Sequence, residues 1–188
     1  MKDLLALLNN IHPLSAGLQQ YLTDKIKTRQ AARKEIILQA GHLSRHIYFI
    51  QKGLLRTFYY EDGHEINSGF MLEGDMLAAV QSFFYQSASI ESIQAIEDSR
   101  LSYICYNELQ FIFTNFKEAD FIGRVLMTRN YIAGEQRLHC LRMKKAAARY
   151  QFMLKYYPQL ILRVPAKYMA TYLGISEETL SRIRSRKY

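Results

Sequence analysis

The chain has 188 residues, of which 49% are hydrophobic and 22% are charged, with a formal net charge of +8. This length and composition allow a buried core in one large domain or two small ones. No apolar run is long enough to cross a bilayer, and the polar N-terminus MKDLLALLNNI predicts a short amphipathic helix rather than a signal peptide. We therefore expect a cytoplasmic protein with no membrane partner.

The middle of the chain predicts many short β-strands rich in Ile, Leu, Phe and Tyr. Glycine-containing turns separate these runs, and the sequence EDGH at residues 61–64 is a strong hairpin signal. Short strands at this spacing are typical of an antiparallel sandwich or jelly roll, which we assign to residues 1–115. The predicted strands are Glu35–Gln39, Ile47–Gln51, Leu54–Tyr60, Glu65–Met71, Ile90–Ile96 and Arg100–Tyr106.

Residues 116–145 contain no proline and predict a long helix. Phe121, Val125, Thr128 and Ile132 recur in steps of four and three, which favours a helix that pairs with a second copy of itself. The alternative is a helix packed on its own domain. Both interpretations hold if one face of the helix covers the β-rich domain and another face pairs with the second copy.

Residues 146–188 predict a smaller C-terminal domain. A second helix covers Ala146–Tyr156, and Leu160–Val164 has the composition of a short strand. Pro165 then opens a further helical segment, a position at which proline is favoured.

The segment from residue 165 to residue 186, PAKYMATYLGISEETLSRIRSR, predicts a helix-turn-helix. Ala170 is small where two helices must approach closely, and Gly174 occupies the tight turn. Ser176 is a favourable N-cap for the second helix. Apolar residues at core spacing complete the pattern: Met169, Leu173, Ile175, Leu180 and Ile183. The alternative is an ordinary surface helix after a glycine turn.

The outward face of the second helix carries side chains that suit DNA. Arginine can pair with guanine O6 and N7, and glutamate can accept from cytosine N4. We expect Arg182 to read a base and Arg184, Arg186 and Lys187 to contact phosphates. The full predicted DNA-binding set is Lys167, Ser176, Glu177, Glu178, Thr179, Ser181, Arg182, Arg184, Arg186 and Lys187.

Charge is distributed unevenly along the chain. From Arg137 onward there are 12 basic residues and only two acidic ones, Glu177 and Glu178, whereas the first 136 residues hold 13 basic and 15 acidic residues. A basic tail beside a near-neutral body is typical of a nucleic-acid-binding module. A solvated basic face or a patch for anionic membranes is the alternative interpretation.

A β-roll, a long helix and then a C-terminal helix-turn-helix resemble the Crp/Fnr family of bacterial transcription regulators over nearly the whole chain, and three motifs carry the resemblance. Gly41, followed by IYFI at residues 47–50 and GLLR at residues 53–56, resembles the start of the family's cyclic-nucleotide-binding fold. GDM at residues 74–76 falls at the opening of the family's phosphate cassette. LGISEETLSR at residues 173–182 resembles the family's recognition helix, and it is the most specific of the three.

This resemblance implies an α+β architecture: an antiparallel β-roll sensor domain, a long dimerisation helix and a C-terminal helix-turn-helix. By carry-over from the family, Glu178 and Arg182 correspond to base-reading residues, and Ser176 and Thr179 to phosphate contacts. The sequence ends about one turn after the recognition helix, so we expect a truncated winged form. The implied function is homodimeric, sequence-specific DNA binding without enzymatic activity.

The same comparison predicts that cyclic AMP is not the effector. Members that bind cyclic AMP follow the cassette with an arginine that holds the cyclic phosphate, but Ser89 falls at that position here. Asp75 replaces the glutamate that reaches the ribose, and the adenine-contacting pair falls near Gly134 and Glu135. An iron–sulfur sensor is excluded because the N-terminal cysteine cluster is absent.

We therefore expect no resident cofactor and an unidentified effector that is neutral or apolar, or no effector at all. The weakly defined effector pocket comprises Phe70, Met71, Gly74, Asp75, Met76, Leu77, Ser89 and Thr128. A haem would need a pair of ligands, and lone histidines are more often surface or core residues. The histidines available are His42, His46, His64 and His139.

The expected partners are palindromic double-stranded DNA, a second copy of the chain and RNA polymerase, with a small-molecule effector as a further candidate. Two alternatives of other classes stay open: a ligand-binding module without DNA binding, and a cupin-like metal enzyme. No metal site is predicted. Cys105 and Cys140 do not form a metal-spaced pair, so we expect reduced, buried thiols.

Overall fold

The computed structural model describes residues 2–185, beginning with two helices, α1 (Lys2–Ile11) and α2 (Ala16–Lys25). The predicted amphipathic helix at the N-terminus is confirmed, with Leu4 and Leu8 buried. Helix α2 was not predicted from the sequence. Ser15 caps it by accepting a hydrogen bond from the Leu18 amide at 3.2 Å.

Two four-stranded sheets follow, and they confirm the predicted antiparallel β-roll. One sheet has the strand order β1-β8-β3-β6 and the other β2-β7-β4-β5. The strands are β1 (Lys27–Ala31), β2 (Ile36–Leu38), β3 (His46–Lys52), β4 (Leu55–Glu61), β5 (His64–Met71), β6 (Met76–Leu77), β7 (Ser92–Ala95) and β8 (Ser99–Cys105). The sequence missed β1, whose residues are mostly polar and exposed, and the two-residue β6.

Strand β3 lies at the centre of its sheet, between β8 and β6. Ile50 pairs with Leu101 of β8, and Tyr48 pairs with Leu77 of β6. Ile50, Leu55, Ile93 and Leu101 are fully buried in the core of the β-roll. A second apolar cluster joins α1 and α2 to Phe49 and to the helices that follow the roll.

The remaining helices are α3 (Val80–Tyr85), α4 (Tyr106–Asn115), α5 (Glu118–Arg142), α6 (Ala146–Tyr156), α7 (Pro158–Arg163), α8 (Ala166–Leu173) and α9 (Glu177–Ser185). The predicted long helix over residues 116–145 is α5, which begins two residues later and ends three residues earlier. Phe116 adopts an extended conformation and ends α4, a helix that the sequence did not predict.

The predicted short strand over Leu160–Val164 is wrong, because this segment belongs to α7. Pro158 occupies the first turn of that helix, where its fixed φ and missing amide are tolerated. A segment with four apolar residues among five fits a buried strand or one face of a short helix equally well, so periodicity could not decide between them.

The described residues divide into two compact units. The first comprises residues up to Thr57 together with Phe70–Thr128, and the second combines residues 58–69 with the chain from Arg129 onward. The tip of the β4–β5 hairpin therefore groups with the C-terminal helices, whereas we had assigned all of residues 1–115 to the β-rich domain. Within residues 2–185, no helix is long and apolar enough to span a membrane.

Both cysteines are free thiols, as predicted, but only one is buried. Cys140 is buried, and this burial raises the pKa of its thiol. Cys105 is half-buried, because it lies where β8 ends and α4 begins.

Candidate nucleic-acid interface

Helices α8 and α9 form the predicted helix-turn-helix around a well-buried apolar core. Met169, Leu173 and Leu180 are fully buried, Ala170 is 1% exposed and Ile183 is 8% exposed. These are the positions predicted from sequence, except that Ile175 is only half-buried. Ala170 has no side chain beyond Cβ, so it allows the close approach that the motif requires.

The turn between the two helices is closed by a Schellman motif on Gly174. Gly174 has φ 62° and ψ 44°, in the left-handed region that glycine adopts at little cost. Its amide donates to the Thr171 carbonyl at 3.1 Å, and the next amide, of Ile175, donates to the Ala170 carbonyl at 3.1 Å. These bonds fix the angle at which α9 leaves α8.

Ser176 caps the N-terminus of α9, as predicted. Its Oγ accepts a hydrogen bond from the Thr179 amide at 3.2 Å and lies 3.1 Å from the Thr179 hydroxyl. Hydrogen bonds from the helix N-terminus and from Ser176 hold the pKa of Glu178 below its usual value, so this carboxylate stays ionised at neutral pH.

The outward face of α9 is polar and exposed. Glu177, Glu178, Ser181, Arg182 and Ser185 are all solvent-exposed, on the side of the helix opposite Leu180 and Ile183. Arg182 donates from Nη2 to the Thr179 hydroxyl at 3.3 Å, one turn earlier on the same helix. An exposed arginine held by one such bond can be redirected to a base edge at little cost.

Further exposed basic residues lie in the same C-terminal part of the chain. Lys167 is exposed near the start of α8, and the Arg184 guanidinium lies 5.8 Å from the ring centroid of Tyr150 on α6. Lys144 and Lys145, which join α5 to α6, are also exposed. Two predicted phosphate contacts, Arg186 and Lys187, lie outside the described residues.

A polar junction, which we call the hairpin–helix junction, joins β5, α5 and α8 through Asn67, Arg137, Thr171 and Tyr172. Arg137 of α5 donates to the Tyr172 carbonyl at 3.2 Å and to the Asn67 carbonyl at 3.3 Å. Its guanidinium also lies 3.6 Å from the ring centroid of Tyr172. The Asn67 side-chain amide, which is fully buried, donates to the Thr171 hydroxyl at 2.8 Å.

The hairpin–helix junction fixes the first helix of the helix-turn-helix against the hairpin and the long helix. None of the sequence motifs assigns a role to Asn67, Thr171 or Tyr172, and Arg137 stands out in the sequence only as part of the basic tail. One signal was present: Asn67 lies within the predicted strand Glu65–Met71, and an amide side chain that is buried in a sheet needs a partner.

The predicted pairing face of α5 is largely exposed to solvent. Phe121 is 42% exposed and Ile132 is 50% exposed, Thr128 is exposed and Val125 is half-buried. In the first half of the same helix, Ala119 and Ile122 face the other way and are buried in the apolar cluster. The helix therefore packs on its own unit through one face and leaves a second, partly apolar face uncovered within a single chain.

In the predicted effector pocket, the polar side chains of Ser89 and Asp75 are bonded to nearby backbone groups. Ser89, 5% exposed, donates from Oγ to the Glu91 carbonyl at 2.7 Å and accepts from the Glu91 amide at 3.1 Å. The Asp75 carboxylate accepts from the Leu72 amide at 2.8 Å. Gly74 pairs with β3 by donating to the Ile50 carbonyl at 2.9 Å.

The other residues of that predicted pocket lie in different surroundings. Phe70 and Leu77 are buried, Met71 packs at the edge of the β-roll core, and Met76 faces the second apolar cluster. The exposed Thr128 donates its hydroxyl to the Arg124 carbonyl, one turn back on α5, at 2.7 Å.

The candidate haem ligands do not cluster with other ligand types. Among residues 2–185, no three His, Cys, Asp or Glu side chains lie close enough to hold a metal ion together. His46 packs edge-on against Tyr103, with ring centroids 4.9 Å apart, and its partial burial lowers the pKa of the imidazole. His139 lies 6.0 Å from the ring of Phe152.

Comparison with known proteins gives a consistent match over the β-roll. Residues 28–116 match the family described as the cyclic nucleotide-binding domain. A search of curated proteins by sequence found no significant match.

Several solved structures share the fold over most of the chain. FixK2 from Bradyrhizobium japonicum is 19% identical with a TM-score of 0.71, covering 86% of this chain and 83% of its own. The c-di-GMP-responsive global regulator CLP of Xanthomonas campestris is 18% identical with a TM-score of 0.69, covering 90% and 89%. A CRP-family transcriptional regulator from Thermus thermophilus is 18% identical with a TM-score of 0.66, covering 84% and 82%. At these identities the similarity establishes the fold.

Proposed function

We propose that this chain, which carries a cyclic nucleotide-binding domain and has the Crp/Fnr fold, is a homodimeric, sequence-specific DNA-binding transcription regulator with α9 as its recognition helix. The observation that carries the proposal is the pairing of a buried helix-turn-helix core with an exposed polar face on α9. Two proteins of the same fold are described as regulators, which supports it.

Within α9, we assign base reading to Glu178 and Arg182. Both are exposed on the outward face, and their functional groups match the donor and acceptor patterns of guanine and cytosine in the major groove. We assign phosphate contacts to Ser176, Thr179 and Arg184, because they lie at the N-terminus or on the flank of the helix. Glu177, Ser181, Lys167, Arg186 and Lys187 complete the proposed interface.

Pairing of two copies follows from the uncovered face of α5. In dimers of this kind the two recognition helices lie about 34 Å apart, one turn of DNA, so the operator is palindromic. A dimer through Phe121, Val125, Thr128 and Ile132 would remove exposed apolar surface from water.

Cyclic AMP is not the effector in this proposal. A cyclic phosphate needs a cation or several unpaired donors, whereas Ser89 occupies the arginine position and its hydroxyl already bonds to Glu91. An effector of another class would act on the orientation of α5 and the hairpin–helix junction. RNA polymerase is the expected partner of the DNA-bound form.

No observation favours either rival class. A cupin-like enzyme needs a cluster of metal ligands, which residues 2–185 do not form. A ligand-binding module that had lost DNA binding would leave the outward face of α9 degenerate, but that face keeps its Glu, Ser and Arg side chains exposed.

The test is selection from random duplex DNA, followed by sequencing, with the wild type and Arg182→Ala. We expect the wild type to enrich a palindrome. Loss of one bidentate arginine contact should cost about 1–3 kcal/mol and relax the preference at one base pair in each half-site.

The matched control is Arg45→Ala, which removes the same charge from an exposed site in the first unit. It should leave the selected sequence unchanged. Unaltered preference in Arg182→Ala would remove this residue as a base reader, and failure of the wild type to enrich any sequence would refute the proposal as a whole.

A further inference from the structure

An apolar cavity of about 100 Å³, partly open to solvent, lies within the first unit and meets the cassette segment only at Met76. Its walls come from α1, α2, the face of β3 and β8, α4 and the first turns of α5. Leu8, Leu22, Phe49, Ile112, Phe113 and Ile122 are among the lining side chains. Of the effector pocket predicted from sequence, this cavity shares only Met76.

The wall chemistry defines what can occupy the cavity. Its lining is apolar apart from Ser102 and Tyr103, and the Ser102 hydroxyl already accepts a hydrogen bond from the Gln51 amide. A water molecule needs two to four polar partners, and an ion would lose its hydration without replacement. The occupant must therefore be neutral and apolar.

The size of the cavity limits the occupant further. An engineered apolar cavity of about 150 Å³ stays dry and binds benzene or xenon. A somewhat smaller cavity bounded by the flexible side chains of Met76 and Leu126 suits a single aromatic ring or a short alkyl chain.

One wall depends on a glycine, which ties the cavity to the long helix. A Cβ built at Gly123 would come within 2.7 Å of the Phe113 ring, so the ring lies against α5 only because this position lacks a side chain. Ala119, Ile122 and Leu126 of the same helix also line the cavity.

We propose that this cavity is a binding site for a small, neutral, apolar molecule built on one aromatic ring or a short alkyl chain. The site goes beyond the proposed function, since binding there does not require DNA. Four of its lining residues belong to α5, the helix to which we assign pairing.

Toluene is the probe, and thermal unfolding of the full chain without DNA is the first measurement. At about ten times its Kd, a ligand that binds only the folded state should raise the Tm by about 3–6 °C for a protein of this size. Benzoate has the same ring with a charge added, and it should give no shift because the cavity offers that charge no partner.

Two variants locate the effect. Ala119→Leu fills the cavity with methyl groups and should abolish the toluene shift, and Leu126→Phe serves the same purpose if Ala119→Leu fails to fold. The matched control, Ala148→Leu, makes the same exchange at an exposed position of α6 and should keep the shift. In methyl spectra, toluene should move the signals of Ile112 and Ile122 and leave Ile93, in the core of the β-roll, unchanged.

The proposal is overturned if toluene leaves the wild-type Tm unchanged, if benzoate shifts it equally, or if a folded cavity-filling variant retains the shift. Movement of Ile93 together with Ile122 would also overturn it by indicating non-specific uptake. Because no DNA is present, each of these results is independent of whether the chain binds an operator.

Discussion

The recognition helix and the segment at the family's cassette position use their polar side chains in opposite ways. On α9, Glu178, Ser181 and Arg182 stand in solvent over a core that is fully buried. In the first unit, Ser89 is buried and bonded through its hydroxyl to the backbone of Glu91. Groups already satisfied inside a protein gain little from a ligand, whereas exposed donors and acceptors can exchange water for a partner.

This difference places accessible polar groups on α9 and already satisfied polar groups in the cassette segment. Helix α9 carries the residue types to which we assign base reading, and their side chains are accessible to solvent. In the cassette segment, the Gly74 amide donates to the Ile50 carbonyl, and Ser89 falls at the position where the sequence comparison expects a phosphate-binding arginine. The apolar cavity, lined by α1, α2 and α5 among others, offers a ligand site of another chemical kind.

The largest effect should come from breaking the proposed pairing of α5. Val125→Asp combined with Ile132→Asp places two charges on the face assigned to the dimer, where they would be buried without partners. DNA affinity should fall by about 100-fold, because a single helix-turn-helix then contacts only one half-site. Sedimentation velocity and fluorescence anisotropy measure the two changes.

The control for this pair is Asn130→Asp, an exposed position on the opposite side of the same helix. It should leave both the dimer and DNA affinity intact. A wild-type protein that sediments as a monomer at micromolar concentration would contradict the dimer, whatever the variants do.

A smaller loss should follow when the hairpin–helix junction is opened. Arg137→Ala removes two hydrogen bonds from a charged donor and the stacking on Tyr172, and we expect about 2–3 kcal/mol of destabilisation of the second unit. Hydrogen exchange should then increase in α8, while the core of the β-roll stays protected.

Arg142→Ala removes the same side chain from an exposed position one turn further along α5 and serves as the reference. Equal stability of the Arg137→Ala and Arg142→Ala variants, measured by urea unfolding, would show that the junction contributes nothing beyond a surface arginine.

The first unit should carry a small pH response at His46. Partial burial lowers the pKa of its imidazole, and the nearby charges of Lys27, Arg29 and Arg45 add to this, while Glu108 opposes it. The unfolded chain then binds more protons, so stability should fall as the pH drops below about 6.5, the unperturbed pKa of histidine. The contribution of His46 to folding stability is present above that pH, and solvent screening limits its size.

His46→Gln should flatten the stability profile between pH 7 and pH 5, whereas the same change at the exposed His42 should not. Thermal unfolding across this range is the measurement. A His46→Gln variant with the wild-type slope would assign the response to other groups.

Cyclic nucleotides should give no measurable effect. Calorimetric titration of cyclic AMP and cyclic GMP into the full chain should yield no binding at micromolar concentration, since the Ser89 position supplies no charge for the phosphate. A Kd in the low micromolar range or tighter for either nucleotide would contradict the difference that we draw between α9 and the cassette segment.

The helix-turn-helix was the part most readily predicted from sequence, because several independent local signals coincide there. Gly174 specifies the turn, Ser176 specifies the cap and the apolar spacing specifies the core, and none of these depends on the rest of the chain. The hairpin at Asp62 and Gly63 was predictable for the same reason, and both residues have positive φ.

Features that depend on distant partners were not predictable. Strand β1 is polar, and its place in the sheet comes from pairing with β8. The break between α4 and α5 at Phe116 has no glycine or proline to mark it. The hairpin–helix junction joins Asn67 to residues more than 60 positions away, and no local pattern encodes such a contact.

The most direct test of the central claim compares the affinity of the wild-type chain for its selected operator with that for a scrambled duplex of equal length. At 150 mM salt, a specific DNA-binding regulator should prefer the operator by a factor of about 1,000 or more. A ratio near one, with both affinities falling equally as salt rises, would show that the chain binds DNA only through a basic surface. That result would contradict sequence-specific binding through α9.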